Sequence, residues 1–188
     1  MAIKYLDSKR IRGSSTADVT PTVTYDLDST SSPTSWTTVG STITMNTSST
    51  QIQGVNVIGA TTPDRIYTQL ATALDDDTWV VDFRYLQTAI GQDSQCHFVF
   101  SAGTGTVSDN QDHIGFDNHN SAGTLYTRLR ARNGTSNTYS SHPHLQLALN
   151  TQYYVRMIRD GTSLTANYYT SDARTGTPAF TLSLTIPS

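Results

Sequence analysis

Residues 153–172 read YYVRMIRDGTSLTANYYTSD and predict two β-strands joined by a tight turn. Apolar and aromatic side chains recur at every second position on both sides of the turn, and a period of two places them on one face of each strand. Asp160-Gly161 supplies the turn, because glycine accepts the positive φ that tight hairpins require. The same alternation recurs along the chain, so this hairpin predicts an all-β protein.

The composition favours strands over helices. The chain has 188 residues, a length typical of a single β-sandwich domain. Ser and Thr make up roughly a quarter of it, well above their ordinary usage. It contains no Glu, and Lys4 and Lys9 are its only lysines. Two of the strongest helix formers are therefore almost missing, whereas Thr and Tyr favour strands.

Charge and cysteine content exclude several classes of protein. The net charge of -3 argues against nucleic acid as the main partner. Cys96 stands alone, so neither an intrachain disulfide nor a cysteine zinc cluster is expected. The sequence shows no apolar run of membrane-helix length and no signal peptide, so membrane insertion is not expected. We expect synthesis in a host cytoplasm without classical secretion, which also suits a protein assembled into a particle.

Short alternating runs separated by turn residues predict the strands. A first pair is expected from Trp36 to Met45, with the turn at Gly40-Ser41. Further strands are predicted at 52–58, 65–74, 79–86, 96–101, 114–116, 125–132 and 180–186, a pattern typical of a sandwich or jelly roll. The predicted core contains Trp79, Val81, Phe83, Leu125, Leu129, Val155 and Met157.

Residues 1–35 differ from the rest, because they have little to bury and no helical period. Two interpretations stay open, a disordered tail or an extended N-terminal arm that docks on a partner. In the second, the partner-binding residues are Lys4, Tyr5, Lys9, Arg10 and Arg12. Residues 36–188 form the predicted domain.

Three segments carry a resemblance to a known family: WVVDFRY at 79–85, HIGFDNHNSAGTLYTRLRAR at 113–132, and the hairpin. Together they resemble the concanavalin A-like lectin/glucanase jelly roll, in its laminin-G-like branch. The resemblance covers residues 36–188 and implies an antiparallel jelly-roll β-sandwich. Such domains occur as sugar-binding or adhesive modules, including in virion and tail proteins of phages. One late strand of the family lacks a counterpart here. Three explanations stay open: the N-terminal segment takes its place, a neighbouring subunit does, or the sequence is incomplete.

Arginine and tyrosine side chains predict a glycan-binding face. Alternation places Tyr126, Arg128, Arg130 and Arg132 on one face of a strand. Guanidinium groups bind carboxylate or sulfate groups in two-pronged fashion, and tyrosine rings stack on sugars. If their strands are neighbours, the face extends to Arg84, Tyr154, Arg156 and Tyr169. The alternative is a solvent-exposed face on which arginines pair with aspartates of adjacent strands.

Two further site predictions concern acids. Asp109, Asp112 and Asp117 lie in a region rich in oxygen ligands, which predicts a calcium site, although Asp and Asn are also ordinary turn formers. Glucanases of the resembling fold use two glutamates, and this chain has none. Asp82 shares its face with Arg84, which indicates an ion pair. Catalytic residues are therefore not expected.

These features together predict a non-enzymatic virion structural protein: a capsid decoration, fibre or tail component that displays a jelly roll. It is expected to be a homo-oligomer on a virion or particle surface, held to other subunits through the N-terminal arm. Glycans are candidate ligands, and calcium is the one cofactor suggested. Two alternatives stay open, a soluble carbohydrate-binding lectin module and a polysaccharide-degrading enzyme.

Overall fold

A computed structural model describes residues 4–6, 9–11, 37–40, 43–46, 51–54, 65–67, 74, 76–88, 95–101, 103, 112–121, 124–140 and 147–187. Within these ranges every regular element is a β-strand, which confirms the all-β class. The first six are short: β1 (Lys4–Leu6), β2 (Lys9–Ile11), β3 (Thr37–Val39), β4 (Ile43–Asn46), β5 (Gln51–Gly54) and β6 (Arg65–Tyr67). Eight more follow: β7 (Thr78–Leu86), β8 (Gln95–Ser101), β9 (His113–Ser121), β10 (Thr124–Asn133), β11 (Ser136–Tyr139), β12 (Gln152–Asp160), β13 (Ser163–Tyr169) and β14 (Phe180–Thr185).

The last eight strands build two antiparallel sheets of four strands each. One sheet has the order β14-β13-β12-β7, and the other has the order β11-β10-β9-β8. The chain leaves the first sheet after β7, runs through β8 to β11 as a meander, and returns to lay β12 beside β7. Three further pairs, β1 with β2, β3 with β6 and β4 with β5, form separate two-stranded sheets.

The inner faces of the two four-stranded sheets share one core, so the fold is a β-sandwich. Aromatic rings link the sheets, since the Phe83 ring lies 4.4 Å from that of Phe98 and 5.7 Å from that of Phe116, centroid to centroid. Of the predicted core residues, Trp79, Leu129, Val155 and Met157 are buried, and Val81 and Phe83 are half-buried against them. The side chain of Leu125 lies outside the described residues.

The β12–β13 hairpin confirms the turn prediction. Asp160 pairs with Ser163, and Gly161 has a φ of 58°, as glycine does at the first central position of a type II′ turn. The β10–β11 turn repeats the arrangement with Gly134 at 57°. Both turns carry an Arg-Asx-Gly-Thr-Ser sequence, and in both the arginine Nε donates to the glycine carbonyl oxygen.

One strand pairing was predicted wrongly, one strand was predicted too short, and one strand was missed. Residues 37–39 pair with β6 and residues 43–46 with β5, so the predicted first pair does not form. β9 has nine residues, because its polar positions find partners on neighbouring strands. β11 was not predicted at all.

The N-terminal segment is not a single extended strand where it is described. β1 and β2 pair with each other in antiparallel register, with Tyr5 opposite Arg10 and Leu6 opposite Lys9. Residues 4–6 of the predicted arm therefore pair with residues 9–11 of the same arm, and this pairing satisfies backbone polar groups of both short strands. Arg12 lies outside the described residues.

Candidate functional site

The outer face of the β11-β10-β9-β8 sheet carries four of the eight arginine and tyrosine residues that the sequence predicted to bind glycans. Thr127, Leu129 and Ala131 of β10 are buried towards the core, so Tyr126, Arg128, Arg130 and Arg132 point the other way, as predicted. We call one part of this surface the arginine–tyrosine face. It consists of Asp117 on β9, Arg128 and Arg130 on β10, and Asn137 and Tyr139 on β11.

Arg128 is held on two sides. Its Nε lies 2.8 Å from Asp117 Oδ1 and its Nη2 lies 3.0 Å from Asp117 Oδ2, which makes a bidentate ion pair. The two residues are directly opposite each other on β10 and β9. Its guanidinium carbon also lies 3.7 Å from the centre of the Tyr139 ring. Because Asp117 is fully buried, the pair fixes the guanidinium, and the guanidinium in turn fixes the ring.

Arg130 is buried beside this pair. Its Nε and Nη2 donate to Asn137 Oδ1 at 3.2 and 2.9 Å, and only 7% of the residue is exposed. Burial lowers the pKa of Arg130, because the interior solvates the charged form less well than water does. Arginine nevertheless stays protonated at neutral pH, so the face keeps this positive charge.

Tyr139 is the most exposed aromatic residue in the described part of the chain, with 38% of the residue accessible. The Arg128 guanidinium lies over the Tyr139 ring. A ring that is fixed on one side and accessible on another can stack on the apolar face of a sugar, and nearby guanidinium and amide groups can bind its hydroxyl or acidic groups.

Tyr139 and Asn137 were not predicted as site residues, because their strand, β11, was not predicted. A signal was present: Asn133-Gly134 is a strong hairpin turn, and the same Gly-Thr-Ser triplet follows Asp160. Reading the second turn by analogy with the first would have predicted a strand at 136–139.

The remaining predicted glycan-binding residues lie on the other sheet. Arg84, Tyr154, Arg156 and Tyr169 occupy β7, β12 and β13, which are not neighbours of β10, so they do not extend the arginine–tyrosine face. They form a cluster of their own, since Tyr154 is opposite Arg84 on one side and Tyr169 on the other. Arg156 and Tyr169 are buried, although they point away from the core.

Asp82 and Arg156 are the centre of this second cluster. Arg156 Nε donates to Asp82 Oδ1 at 2.7 Å, and its Nη2 donates to the other carboxylate oxygen. Burial by itself lowers the pKa of Arg156, but the hydrogen bonds and charge of Asp82 outweigh burial and leave the pKa raised. The predicted partner of Asp82 was Arg84, which pairs instead with Asp172. Alternation explains this: residues 82 and 84 share a face but lie two positions apart, whereas Arg156 is directly opposite Asp82.

Two of the three predicted calcium ligands, Asp112 and Asp117, do not share a loop. Asp117 lies in the middle of β9, with both carboxylate oxygens bound to Arg128. Asp112 precedes the strand, and its Oδ1 accepts a hydrogen bond from the Gly134 N–H at 2.6 Å. Asp109 lies outside the described residues. Nowhere in the described ranges do three or more His, Cys or Asp side chains stand together as metal ligands.

The interior of the sandwich contains a polar cluster between β7 and β9. Asn118 Nδ2 donates to Tyr85 Oη and, at 3.3 Å, to Gln87 Oε1. Asn118 Oδ1, Thr127 Oγ1 and Tyr168 Oη are buried without a hydrogen-bond partner. Such atoms reduce stability, because folding removes their bonds to water and replaces them with none.

Comparison with family models, with curated proteins and with solved structures gave no match. In the described part of the chain, no helix is long and apolar enough to cross a bilayer. The geometry of the two clusters is therefore the basis for a functional proposal.

Proposed function

We propose that this chain is a non-enzymatic structural protein of a virion or similar particle. Its sandwich, of the concanavalin A-like jelly-roll type, is displayed on the particle surface and binds glycans through the arginine–tyrosine face. The N-terminal segment joins the domain to other subunits. The observation that carries the binding proposal is the accessible Tyr139 ring, fixed by Arg128.

Fixation of the ring favours binding. A free tyrosine side chain loses rotational freedom when it stacks on a ligand, and that loss weakens the complex. Here the Asp117–Arg128 pair already restricts the guanidinium that lies over Tyr139. Asn137 is exposed on the same strand and can supply a polar contact that orients a sugar, while the buried Arg130 holds its side-chain oxygen in place.

The state of the two mid-strand aspartates supports a non-enzymatic role. Glycoside hydrolysis uses two carboxyl groups flanking the bond that breaks. Asp82 and Asp117 each accept two hydrogen bonds from one arginine, so their oxygens are engaged within the protein. They also lie on different sheets, and each pair faces outwards from the sandwich.

A glycan array with the full chain tests the binding proposal. We expect selective binding to some glycans, reduced about tenfold or more in Tyr139→Ala, the size of effect typical of a central aromatic contact. Tyr139→Phe keeps the ring and should retain most of the affinity. Leu86→Ala is the matched control, since Leu86 is exposed to a similar degree on the other sheet.

Three results would each point away from the proposed function or its site. Binding by a chain that stays monomeric would favour a soluble lectin module over a particle protein. Release of reducing sugar from a polysaccharide, lost in Asp82→Asn, would identify an enzyme. Equal binding by the wild type and Tyr139→Ala would contradict the assignment of the arginine–tyrosine face.

A further inference from the structure

Residues 170–179, which join β13 to β14, form a strap over the outer face of the first sheet. The Arg174 N–H donates to the Ser171 carbonyl at 3.1 Å, and the Ala179 N–H donates to the Tyr168 carbonyl at 2.8 Å. The Arg174 side chain extends across to β7, where its Nη2 donates to the Phe83 carbonyl at 3.3 Å. The strap therefore reaches from one edge of the sheet to the strand at the other edge.

The strap places one carboxylate between two guanidinium groups. Asp172 Oδ1 lies 3.1 Å from Arg174 Nη1, and Asp172 Oδ2 lies 3.4 Å from Arg84 Nη2. Both guanidinium carbons lie near the Tyr154 ring, at 5.6 Å for Arg174 and 6.0 Å for Arg84. Two guanidinium groups beside an aromatic ring are an arrangement suited to binding a carboxylate.

The contact of the internal carboxylate with Arg84 is weak, whereas its contact with Arg174 is shorter. The side chains of Asp172 and Arg84 are 56% and 48% exposed, and their contact is longer than a strong charge-assisted hydrogen bond. Exposed ion pairs of this kind contribute little, because water competes for both partners. A carboxylate from solution that engages the guanidinium groups in two-pronged fashion would therefore compete with Asp172.

The backbone of Arg174 is strained and its Nε lacks a hydrogen bond. Its φ of 47° lies in the left-handed region, which is unfavourable for a residue with a side chain other than Asn or Asp. Its Nε is buried without a hydrogen bond and lies 3.9 Å from Asp82 Oδ1. Backbone strain of this kind is concentrated at ligand clamps and switch regions.

We propose that Arg84, Arg174 and Tyr154 form a binding site for a small carboxylate-bearing ligand, and that Asp172 occupies this site as an internal competitor. A uronate is the sugar form of such a ligand. The site lies on the opposite sheet from the arginine–tyrosine face and does not depend on glycan binding there. Binding displaces the Asp172 carboxylate and leaves the Asp82–Arg156 pair beneath it intact.

Titration of the full chain with glucuronate, followed by NMR or calorimetry at low salt, tests the proposal. Glucose is the neutral control, and acetate shows whether the carboxylate alone is enough. Asp172→Asn removes the competitor and should raise the affinity for glucuronate by up to about fivefold, the range that exposed ion pairs span. Arg84→Gln should abolish binding. Arg84→Lys should weaken it, because lysine keeps the charge but cannot make two parallel hydrogen bonds to a carboxylate as a guanidinium does.

Asp112→Asn is the matched control. It also removes one exposed aspartate, just before β9 of the other sheet, and the asparagine keeps an oxygen that can accept the Gly134 N–H, so it reports the effect of net charge away from this site. Equal gains in Asp112→Asn and Asp172→Asn would overturn the proposal, as would a failure of Asp172→Asn to bind glucuronate more tightly than wild type. The titrations are repeated in Tyr139→Ala: glucuronate binding that persists in this variant and is lost on adding Arg84→Gln belongs to this site and not to the proposed glycan face.

Discussion

Arg156 and Asp82 form a two-pronged ion pair across β12 and β7, two strands that are adjacent in the sheet and 74 residues apart at this point. The Arg156 side chain is 5% exposed and the Asp82 side chain 35% exposed. Their pairing has a structural consequence. A slip of one residue between the two strands would send one of the two side chains to the opposite face, so the pair favours the observed register.

Asp82→Asn should destabilise the protein by about 2 kcal/mol, because a charged hydrogen-bonded pair is replaced by a weaker neutral contact to a buried guanidinium. Urea unfolding measures the change. Asp172→Asn is the control, and the exposed position of Asp172 predicts a loss below about 0.5 kcal/mol. A loss at Asp82 no larger than at Asp172 would show that this pair contributes little to stability.

Phe83→Ala should destabilise the sandwich by about 3 kcal/mol, because the ring joins the two sheets through its stacking on Phe98 and Phe116. Phe83 is half-buried, so the lower end of the range for buried aromatic residues is expected. Leu86→Ala, three residues further along β7 and on the outer face, should cost under about 0.5 kcal/mol. A loss below about 1 kcal/mol for Phe83→Ala would mean that the ring is not part of the core.

Tyr168→Phe should alter how stability depends on alkaline pH. Burial raises the pKa of Tyr168 far above the ordinary value of 10.0, because the phenolate is disfavoured in the core. In the folded protein the phenol stays protonated, whereas the unfolded chain loses the proton above that value. Stability contributed by this group is therefore complete below about pH 10 and declines above it, by about 1.4 kcal/mol per pH unit.

In the Tyr168→Phe variant the free energy of unfolding should no longer fall above pH 10 because of this group. At pH 7 the variant should be as stable as the wild type, since the hydroxyl has no hydrogen-bond partner. Thr127→Val is the companion variant. It removes another buried hydroxyl without a partner, but one that does not titrate, so it should leave the alkaline slope as it is. Chemical denaturation at pH 7 and above pH 10 gives both quantities. An unchanged slope in Tyr168→Phe would contradict the account.

Deletion of residues 1–24 tests the proposed role of the N-terminal segment. We expect the truncated chain to fold, because the two four-stranded sheets and their shared core begin at β7. We also expect it to lose its ability to assemble with other subunits, as judged by native mass spectrometry against the full chain. Unchanged assembly, or unfolding of the truncated chain, would each refute an anchoring role.

The sequence by itself determined the strand class and the orientation of side chains within each strand. Alternation is a local consequence of the pleat, so the buried side of β10 and the hairpin at Gly161 could be predicted from neighbouring residues alone.

The tertiary structure decided which strands are neighbours, because pairing depends on contacts between residues far apart in the chain. It separated Arg128 from Arg156 by placing them on different sheets. It also extended β9 through Asp117 and Asn118, residues that disfavour strands locally but find Arg128 and Tyr85 as partners once the sandwich has formed. Arg174 carried no periodic signal, since it lies in a connection whose path is decided by its contacts with β7.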